Sequence, residues 1–361
     1  MSDDRSPLIC PFDLSVEPIA RFLNAELADD PHYDGIELQW FDDPIHGSGM
    51  LVFLSRRETR IVDYYVAPGL RLDRGMYVLG AGVGVWQETV FEVGRLEVHP
   101  DGVTAEVHFV DVDGRPIEVH IDDRDGASRR RGTLLAPVGA GIDHPASLLL
   151  VWLHGFDLVA ESPTDPVIRI DGRQASTGTL PGQRLHRREL IKYAAPLTTV
   201  MLNRTADGPV RLVDPDEPGG VHLDEDGAIG DVIVEVPTGQ RARLALRPGF
   251  VDLRALADGA AAQGRWRIGI DDTPAVTGGT WRVERNGDEV DVAMSVTQRW
   301  RPGPQPPIMK LVTTVVPTFS RWPTTYRYQA TVTLGDEPTI SGGWQRTGTE
   351  RGDAYRRATG G

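Results

Sequence analysis

The sequence has almost none of the residues that covalent or metal cross-links require. It contains one cysteine, Cys10, among 361 residues, so the chain can form neither an internal disulfide nor a cluster of thiolate ligands. It has no His-Glu-x-x-His motif and no two histidines at helical spacing. We therefore expect no metal site and no cofactor.

Long hydrophobic runs are also missing. The longest uninterrupted apolar run, 148–153, is far shorter than the roughly 20 residues that a membrane-spanning helix needs. The first residues, 1–5, are largely polar and acidic and lack the apolar stretch of a secretory signal. We predict a cytoplasmic protein with no integral membrane association.

Basic residues are outnumbered by acidic ones. The chain has 38 Lys and Arg against 52 Asp and Glu, a formal net charge of −14. Nucleic acids and anionic membrane surfaces are bound by basic faces that neutralise phosphates, so this balance argues against both as partners.

Glycine and proline are plentiful, with 40 and 27 residues, and they separate short apolar runs. From about residue 35 the apolar residues alternate with polar ones, which is typical of strands joined by turns. The pattern predicts strands at 35–40, 50–56, 60–66, 83–93, 95–99, 103–109, 115–121, 148–154 and 197–202 and, in the second half, at 229–236, 241–246, 264–270, 279–285, 289–298, 307–316, 325–334 and 339–345.

Two segments have apolar residues at helical spacing. Residues 14–28 predict an N-terminal helix, and residues 184–194 give a weaker helical pattern. The segment 214–220 holds only turn-forming and acidic residues and is predicted to be an interdomain linker.

A weak internal repeat supports two copies of one β-unit, since residues 94–102 align with 279–287 at an offset of 185. We therefore predict an all-β, mainly antiparallel fold with two lipocalin-like β-barrel or sandwich domains. The predicted boundaries are 1–30 for a helical lead-in, 31–213 for the first barrel and 221–361 for the second.

Two hairpins can be aligned from side-chain pattern. A three-residue loop, 112–114, would pair Phe109 with Ile117 on an apolar face and His108 with Glu118 on the other. In the second half, Asn286-Gly287 suits a two-residue type I′ turn that would pair Val283 with Val290 and Trp281 with Val292.

Two familiar enzyme classes are disfavoured. The run Trp152-Leu153-His154-Gly155 is similar to the oxyanion turn of α/β-hydrolases, but the Gly-x-Ser-x-Gly elbow of that fold is absent. Gly80-x-Gly82-x-Gly84 precedes a strand pattern, whereas a dinucleotide site needs a helix start there.

Titratable residues inside apolar strands are the candidate catalytic groups. His154 shares a strand face with Trp152, and Asp157 follows three residues later and could orient the imidazole. Glu88 shares a face with Trp86, where an aromatic wall would raise the pKa of the carboxyl and suit it to act as a general acid.

The supporting residues of this pocket are predicted to be aromatic or basic. His46 and Tyr65 flank neighbouring strands and, with Trp86 and Trp152, are the predicted substrate-binding residues. All nine histidines lie at or before His222. Proton transfer near neutral pH is therefore expected in the first half of the chain.

Two β-units, a lead-in helix and tryptophan-rich strands resemble the double lipocalin-like proteins, a group with hydroxyneurosporene synthase (carotenoid 1,2-hydratase) and the β-barrel cyclases of polyketide pathways. Asp63-Tyr64-Tyr65 is the segment most similar to the Trp-Trp-Tyr signature of the hydratases. The resemblance implies a cofactor-independent hydratase, cyclase or isomerase that acts on a hydrophobic small molecule in a barrel pocket. Two alternatives stay open: a non-catalytic carrier of such a ligand, and a carbohydrate-active β-protein with a carboxylate pair among Glu88, Glu92 and Asp157.

Overall fold

A computed structural model describes residues 7–77, 82–139, 141–160, 165–178, 188–214, 220–301, 310, 313–314 and 321–347. Within these residues the fold is all-β and mostly antiparallel, and Arg74–Tyr77 forms a turn of 3₁₀ helix. No helix formed by the described residues is long and apolar enough to cross a membrane.

Twenty-six strands are numbered in chain order. The first eighteen are β1 Leu8–Cys10, β2 Leu14–Ile19, β3 Arg21–Glu26, β4 Tyr33–Asp43, β5 Gly47–Arg56, β6 Val62–Val66, β7 Val83–Glu88, β8 Val93–His99, β9 Gly102–Val110, β10 Pro116–Asp122, β11 Gly132–Ala136, β12 Leu148–Ala160, β13 Val167–Ile170, β14 Arg173–Gln174, β15 Arg188–Ala194, β16 Leu197–Leu202, β17 Ala206–Pro209 and β18 Arg211–Val213. The others are β19 Val221–Leu223, β20 Ile229–Glu235, β21 Arg241–Phe250, β22 Ala261–Ile270, β23 Thr273–Asn286, β24 Glu289–Gln298, β25 Tyr326–Thr333 and β26 Thr339–Arg346.

A ten-stranded sheet dominates the first half of the chain. Its order is β2-β16-β12-β15-β3-β4-β5-β6-β7, and β11 also pairs with β12. The chain bends at Ala20 between β2 and β3. Strand β12 pairs with β16 before Gly155 and with β15 after it, and the φ of +54° at Gly155 is unfavourable for residues with a Cβ. The sheet is curled into a half-barrel, and its edge strand β2 comes back against β4.

One face of this sheet packs on a five-stranded sheet of order β14-β13-β10-β9-β8. The core between them, called the second core here, contains Leu23, Ile36, Leu38, Val107 and Ile117 among other residues. Alternation explains the arrangement, because inward residues on β9 and β10 are apolar and outward ones polar.

The second half of the chain forms a nine-stranded antiparallel sheet. Strands β19 to β26 lie side by side in chain order, and β17 pairs with β26 at the outer edge. The inward residues of this sheet, such as Trp266 and Trp281, join a large first core. The other face of the ten-stranded sheet contributes Phe41 and Tyr64 to the same core. The first core therefore extends from the inside of the curl to the nine-stranded sheet.

The predicted N-terminal helix is wrong. Residues 14–28 form β2 and β3, which pair with β16 and with β15 and β4. The apolar residues mimic helical spacing because Phe22 and Leu23 point into different cores, one on each face of a buried strand. The weaker pattern at 184–194 is also a strand, β15, from residue 188 onward.

Most predicted strands are confirmed. Of the predicted strand 307–316 the structure describes only residues 310, 313 and 314, and these are helical, so the strand prediction is wrong there. The hairpin β9–β10 has the predicted register, including Phe109 with Ile117 and His108 with Glu118. Residues 215–219 of the predicted linker also lie outside the described residues. The repeat and the domain boundaries stay predictions.

The hairpin β23–β24 differs from its prediction by one turn position. Asn286 pairs with Glu289, so Gly287-Asp288 forms the turn and Val283 pairs with Val292. The apolar face is unchanged because the pairing moves by two residues, the period of a strand.

Candidate active site

A buried carboxyl and a buried tyrosine meet inside the curl of the ten-stranded sheet. Glu17, on β2, is 4% exposed, and its Oε1 accepts a hydrogen bond from the Tyr77 hydroxyl. Burial raises the pKa of Glu17, although the hydrogen bond from Tyr77 acts in the opposite direction. Burial, and then the neighbouring Glu17 carboxylate, raise the pKa of Tyr77 well above its ordinary value. The pKa of each group is therefore raised, and Tyr77 keeps its proton at neutral pH.

Aromatic rings form a wall beside this pair. Trp86 stacks on Tyr64 with ring centroids 5.1 Å apart and lies 5.5 Å from the ring of Tyr77. The ring of Phe53 packs edge-on against Tyr64 at 4.7 Å. Tyr64 donates its hydroxyl hydrogen to the backbone carbonyl of Tyr77, which fixes the end of the 3₁₀ turn.

A second carboxyl lies on the same face of the sheet. Glu37, on β4, accepts hydrogen bonds from Gln39 Nε2 at 2.7 Å and from Asn24 Nδ2 at 3.3 Å. Burial raises the pKa of Glu37 to about 7, although these two amides stabilise the carboxylate. The side-chain oxygen of Gln39, which is 5% exposed, has no hydrogen-bond partner among the described residues. It is a free acceptor directed into the protein interior.

The two carboxyls belong to one polar cluster. The charge of Glu37 contributes to the raised pKa of Tyr77, so it lies close enough to be felt there. We call Glu17, Tyr64, Tyr77, Glu37 and Gln39 the Glu17–Tyr77 cluster. Both carboxyls raise the pKa of Tyr77, and groups with shifted pKa beside an aromatic wall are typical of sites for proton transfer.

Of the predicted substrate-binding residues, Trp86 and His46 lie next to the cluster. His46 is buried, its Nδ1 lies 2.9 Å from Oδ2 of Asp43, and its charge lowers the pKa of Glu17 as a smaller effect than burial. Tyr65 points to the opposite face, where it packs on Phe109 at 4.8 Å in the second core.

The predicted catalytic residues are spread over three places. Glu88 shares the face of Trp86 but is exposed at the end of β7. His154 bonds through Nε2 to Asp271 at 2.7 Å, and its ring lies 6.0 Å from that of Trp152. Asp157 accepts instead from the Tyr193 hydroxyl at 3.4 Å on the side of the second core. The structure thus does not pair Asp157 with His154.

Sequence reasoning missed Glu17, Glu37 and Tyr77. A helical interpretation of 14–28 left Glu17 on a polar helix side, and the alternation Glu37-x-Gln39 has the pattern of a water-facing row. The signal that could have found them is Phe41, which follows in the same row and shows that the face is enclosed. Among the described residues, no three His, Cys, Asp or Glu side chains are grouped to hold a metal ion.

A cavity of about 540 Å³ lies between the first half and the nine-stranded sheet. Its apolar lining includes Phe12, Leu148, Trp322 and Tyr328. The indole nitrogen of Trp322 has no hydrogen-bond partner in the described part of the chain. This cavity contains none of the predicted site residues and no member of the Glu17–Tyr77 cluster.

No protein-family model, no curated protein and no solved structure matches the chain.

Proposed function

We propose that the chain is an enzyme that moves protons on a hydrophobic small molecule held inside the curl of the ten-stranded sheet. The reaction class is hydration, cyclisation or isomerisation, and the proposal invokes no cofactor. The supporting observation is that two carboxyls with raised pKa, Glu17 and Glu37, both raise the pKa of Tyr77, and that Glu17 accepts a hydrogen bond from the Tyr77 hydroxyl beside an aromatic wall.

The two carboxyls suit different roles. Glu37, with a pKa of about 7, is present in both protonation states near neutral pH, which is the condition that favours a general base or acid. In its carboxylate form it can take a proton from the substrate or from water. The Tyr77 hydroxyl, which donates to Glu17, keeps its proton at neutral pH and can return it at a second atom, so the net charge of the site is restored.

The surroundings suit an apolar substrate with one polar group. Phe53, Tyr64 and Trp86 offer ring faces and edges, and the free oxygen of Gln39 can accept a hydrogen bond from a hydroxyl or from the attacking water. Such a mixture of apolar lining and few polar groups is usual for small-molecule sites.

The test begins with native mass spectrometry of the protein after incubation with a cell extract, to identify the retained ligand. Turnover of that ligand is then compared for wild type, Glu37→Gln and Glu58→Gln. Glu37→Gln should lower turnover about 10²-fold or more, the usual effect of losing a general acid or base. Glu58 is exposed in a turn and serves as the control, with unchanged turnover expected. Equal turnover in wild type and Glu37→Gln would refute the proposed role.

A non-catalytic carrier is the second candidate, and the cavity of about 540 Å³ is the observation that favours it. Pockets of drug-sized ligands commonly measure about 300–1,000 Å³. Ala206→Leu would narrow this cavity. The carrier function would be supported by a ligand that binds to wild type and to the Glu37→Gln variant but not to the Ala206→Leu variant. None of the three proteins should then convert this ligand. All eight tryptophans lie in the described residues and none is exposed, so no observation favours the carbohydrate-active alternative.

A further inference from the structure

Polar side chains from five consecutive strands form one row on the outward face of the nine-stranded sheet. Arg247 pairs with Arg265, Arg265 with Thr280, Thr280 with Ser295, and Ser295 with Arg327. Because paired residues in a sheet point to the same face, all five side chains project from one side. The row is therefore a property of the register of β21 to β25.

The row lines a cleft of about 520 Å³. Its lining residues are Arg247, Pro248, Gln263, Gly264, Arg265, Thr280, Trp281, Arg282, Ala293, Ser295 and Arg327. Four of these are arginines and none is acidic, in a chain whose formal net charge is −14. The local charge of the cleft is thus opposite to that of the chain as a whole.

Two of the four arginines already have acidic partners. Arg247 Nη2 lies 3.2 Å from Asp231 Oδ2, and Arg282 Nη2 lies 2.7 Å from Glu284 Oε2. Both partner carboxylates lie outside the lining of the cleft.

The other two arginines and the hydroxyls between them are unused. Arg265, Arg327, Thr280 and Ser295 make no side-chain hydrogen bond or ion pair with any residue that the structure describes. They offer two guanidinium groups and two hydroxyls, all able to donate to an anion.

We propose that this cleft binds a phosphate-type dianion carried by a small soluble molecule. Arg265 on β22 and Arg327 on β25 are three strand spacings apart, or about 14 Å between backbones. Their side chains can approach an anion from both ends while Thr280 and Ser295 lie beneath it. Planar guanidinium groups match phosphate oxygens in paired hydrogen bonds, which favours this ligand class over a monovalent ion.

The cleft is independent of the Glu17–Tyr77 cluster. The chain neighbours Trp266 on β22 and Met294 on β24 belong to the first core on the inward face, so the sheet itself separates the two places. Binding of the anion is therefore expected whether or not the chain has the proposed enzymatic activity.

Isothermal titration of the whole chain with inorganic phosphate and with pyrophosphate, at constant ionic strength, tests the inference. Wild type should show saturable 1:1 binding of at least one of the two anions. Arg265→Gln and Arg327→Gln should each weaken that binding about 10-fold or more, because each removes charge-assisted hydrogen bonds to the anion. The double variant should show no saturable binding.

Arg95→Gln is the matched control, since Arg95 is an exposed strand arginine on β8 in the five-stranded sheet and loses the same charge. Its binding should equal that of wild type. If Arg95→Gln weakened anion binding as much as Arg265→Gln and Arg327→Gln, the effect would come from net charge alone and the proposed site would be wrong. Absence of saturable binding in wild type would also overturn it, as would retention on anionic vesicles or nucleic acid without binding of free pyrophosphate.

Discussion

The Nε2 atom of His154 lies 2.7 Å from Oδ2 of Asp271, and this contact joins the ten-stranded sheet to a turn of the nine-stranded sheet. His154 is on β12, whereas Asp271 occupies the turn between β22 and β23. The Thr198 hydroxyl donates to the same Oδ2 at 2.9 Å, and the backbone N–H of Arg241 donates to Oδ1 at 2.9 Å. Asp271 therefore ties the half-barrel to the nine-stranded sheet.

Loss of the Asp271 charge should destabilise the protein at neutral pH. Burial raises the pKa of Asp271, but hydrogen bonds from His154, Arg241 and Thr198 outweigh it, and the pKa is lowered overall. A carboxyl with a lowered pKa stabilises the fold above its unfolded pKa and loses this effect as the pH falls through the folded value. We expect Asp271→Asn to lower the free energy of unfolding by about 1–2 kcal/mol at pH 7. The difference from wild type should shrink below about pH 4, as measured by urea unfolding.

Asn is a suitable replacement because Asp271 has a φ of +49°, a conformation that Asn tolerates well. Asp272→Asn is the control, since Asp272 is the exposed neighbour. It should change the free energy of unfolding by less than about 0.5 kcal/mol. A similar loss in both variants would show that the contacts of Asp271 contribute nothing specific.

The turn of the β23–β24 hairpin can be tested by two alanine substitutions. Gly287 has a φ of +63°, whereas Asn286 pairs with Glu289 at the strand end. Gly287→Ala should therefore destabilise the protein by about 1 kcal/mol, and Asn286→Ala should change stability by less than about 0.5 kcal/mol. Equal losses in thermal unfolding would favour the Asn286-Gly287 turn that the sequence suggests.

The strands and the β9–β10 register were predictable because local alternation decides them. Phe109 and Ile117 are inward in both the pattern and the structure. Residues 14–28 were not predictable in this way, because β2 and β3 meet at a bend and β3 is buried on both faces. Which of their residues are buried depends on packing against strands of the nine-stranded and the five-stranded sheets, and no local window of sequence contains those strands.

The candidate site was predicted only in part. Trp86 was expected to shield a carboxyl, and it does lie beside one cluster of acids, but its own strand neighbour Glu88 is exposed. The buried Glu17 and the half-buried Glu37 come from strands that are far apart in the order of the sheet, and these strands come together because the sheet curls. Curvature of a sheet depends on long-range pairing, so periodicity could not indicate which polar row is enclosed.

Glu37 should lower the free energy of unfolding of wild type as the pH rises from about 4.5 to about 7. Its pKa in the fold is about 7, above the ordinary value, so the folded state binds its proton more tightly than the unfolded state. Ionisation in this window therefore favours unfolding, and the penalty is complete above pH 7. Glu37→Gln has no charge to form and should remove this part of the slope, so that its midpoint of thermal unfolding rises relative to wild type as the pH increases.

The control is the same pH series for Glu58→Gln. This variant removes an exposed carboxyl and therefore shows the effect of the change in net charge alone. Its melting midpoint should follow wild type across the series. A Glu37→Gln profile parallel to that of wild type would mean that Glu37 titrates normally in the fold, and the acid–base role assigned to it would lose its basis.

Two buried tyrosines provide a matched test of the Glu17–Tyr77 cluster. Tyr77 donates to Glu17 inside the curl, and Tyr33 donates to Asp111 Oδ2 at 2.7 Å in the second core. Each substitution by Phe removes one hydroxyl that donates to a carboxylate, so each should cost about 1–3 kcal/mol of unfolding free energy. Only Tyr77→Phe should also lower turnover of the ligand identified by mass spectrometry, by about 10²-fold or more.

The pH dependence of unfolding distinguishes the two variants even before a substrate is known. Burial raises the pKa of Glu17, and loss of the Tyr77 hydroxyl would raise it further, so Tyr77→Phe should lose stability more steeply with pH above about pH 5. Burial also raises the pKa of Asp111, but hydrogen bonds from Arg115 and Tyr33 hold it below its ordinary value. Tyr33→Phe should therefore differ from wild type most at neutral pH and least below about pH 4. Identical profiles for both variants, or equal losses of turnover, would show that the Tyr77 hydroxyl supports the fold and has no part in the chemistry.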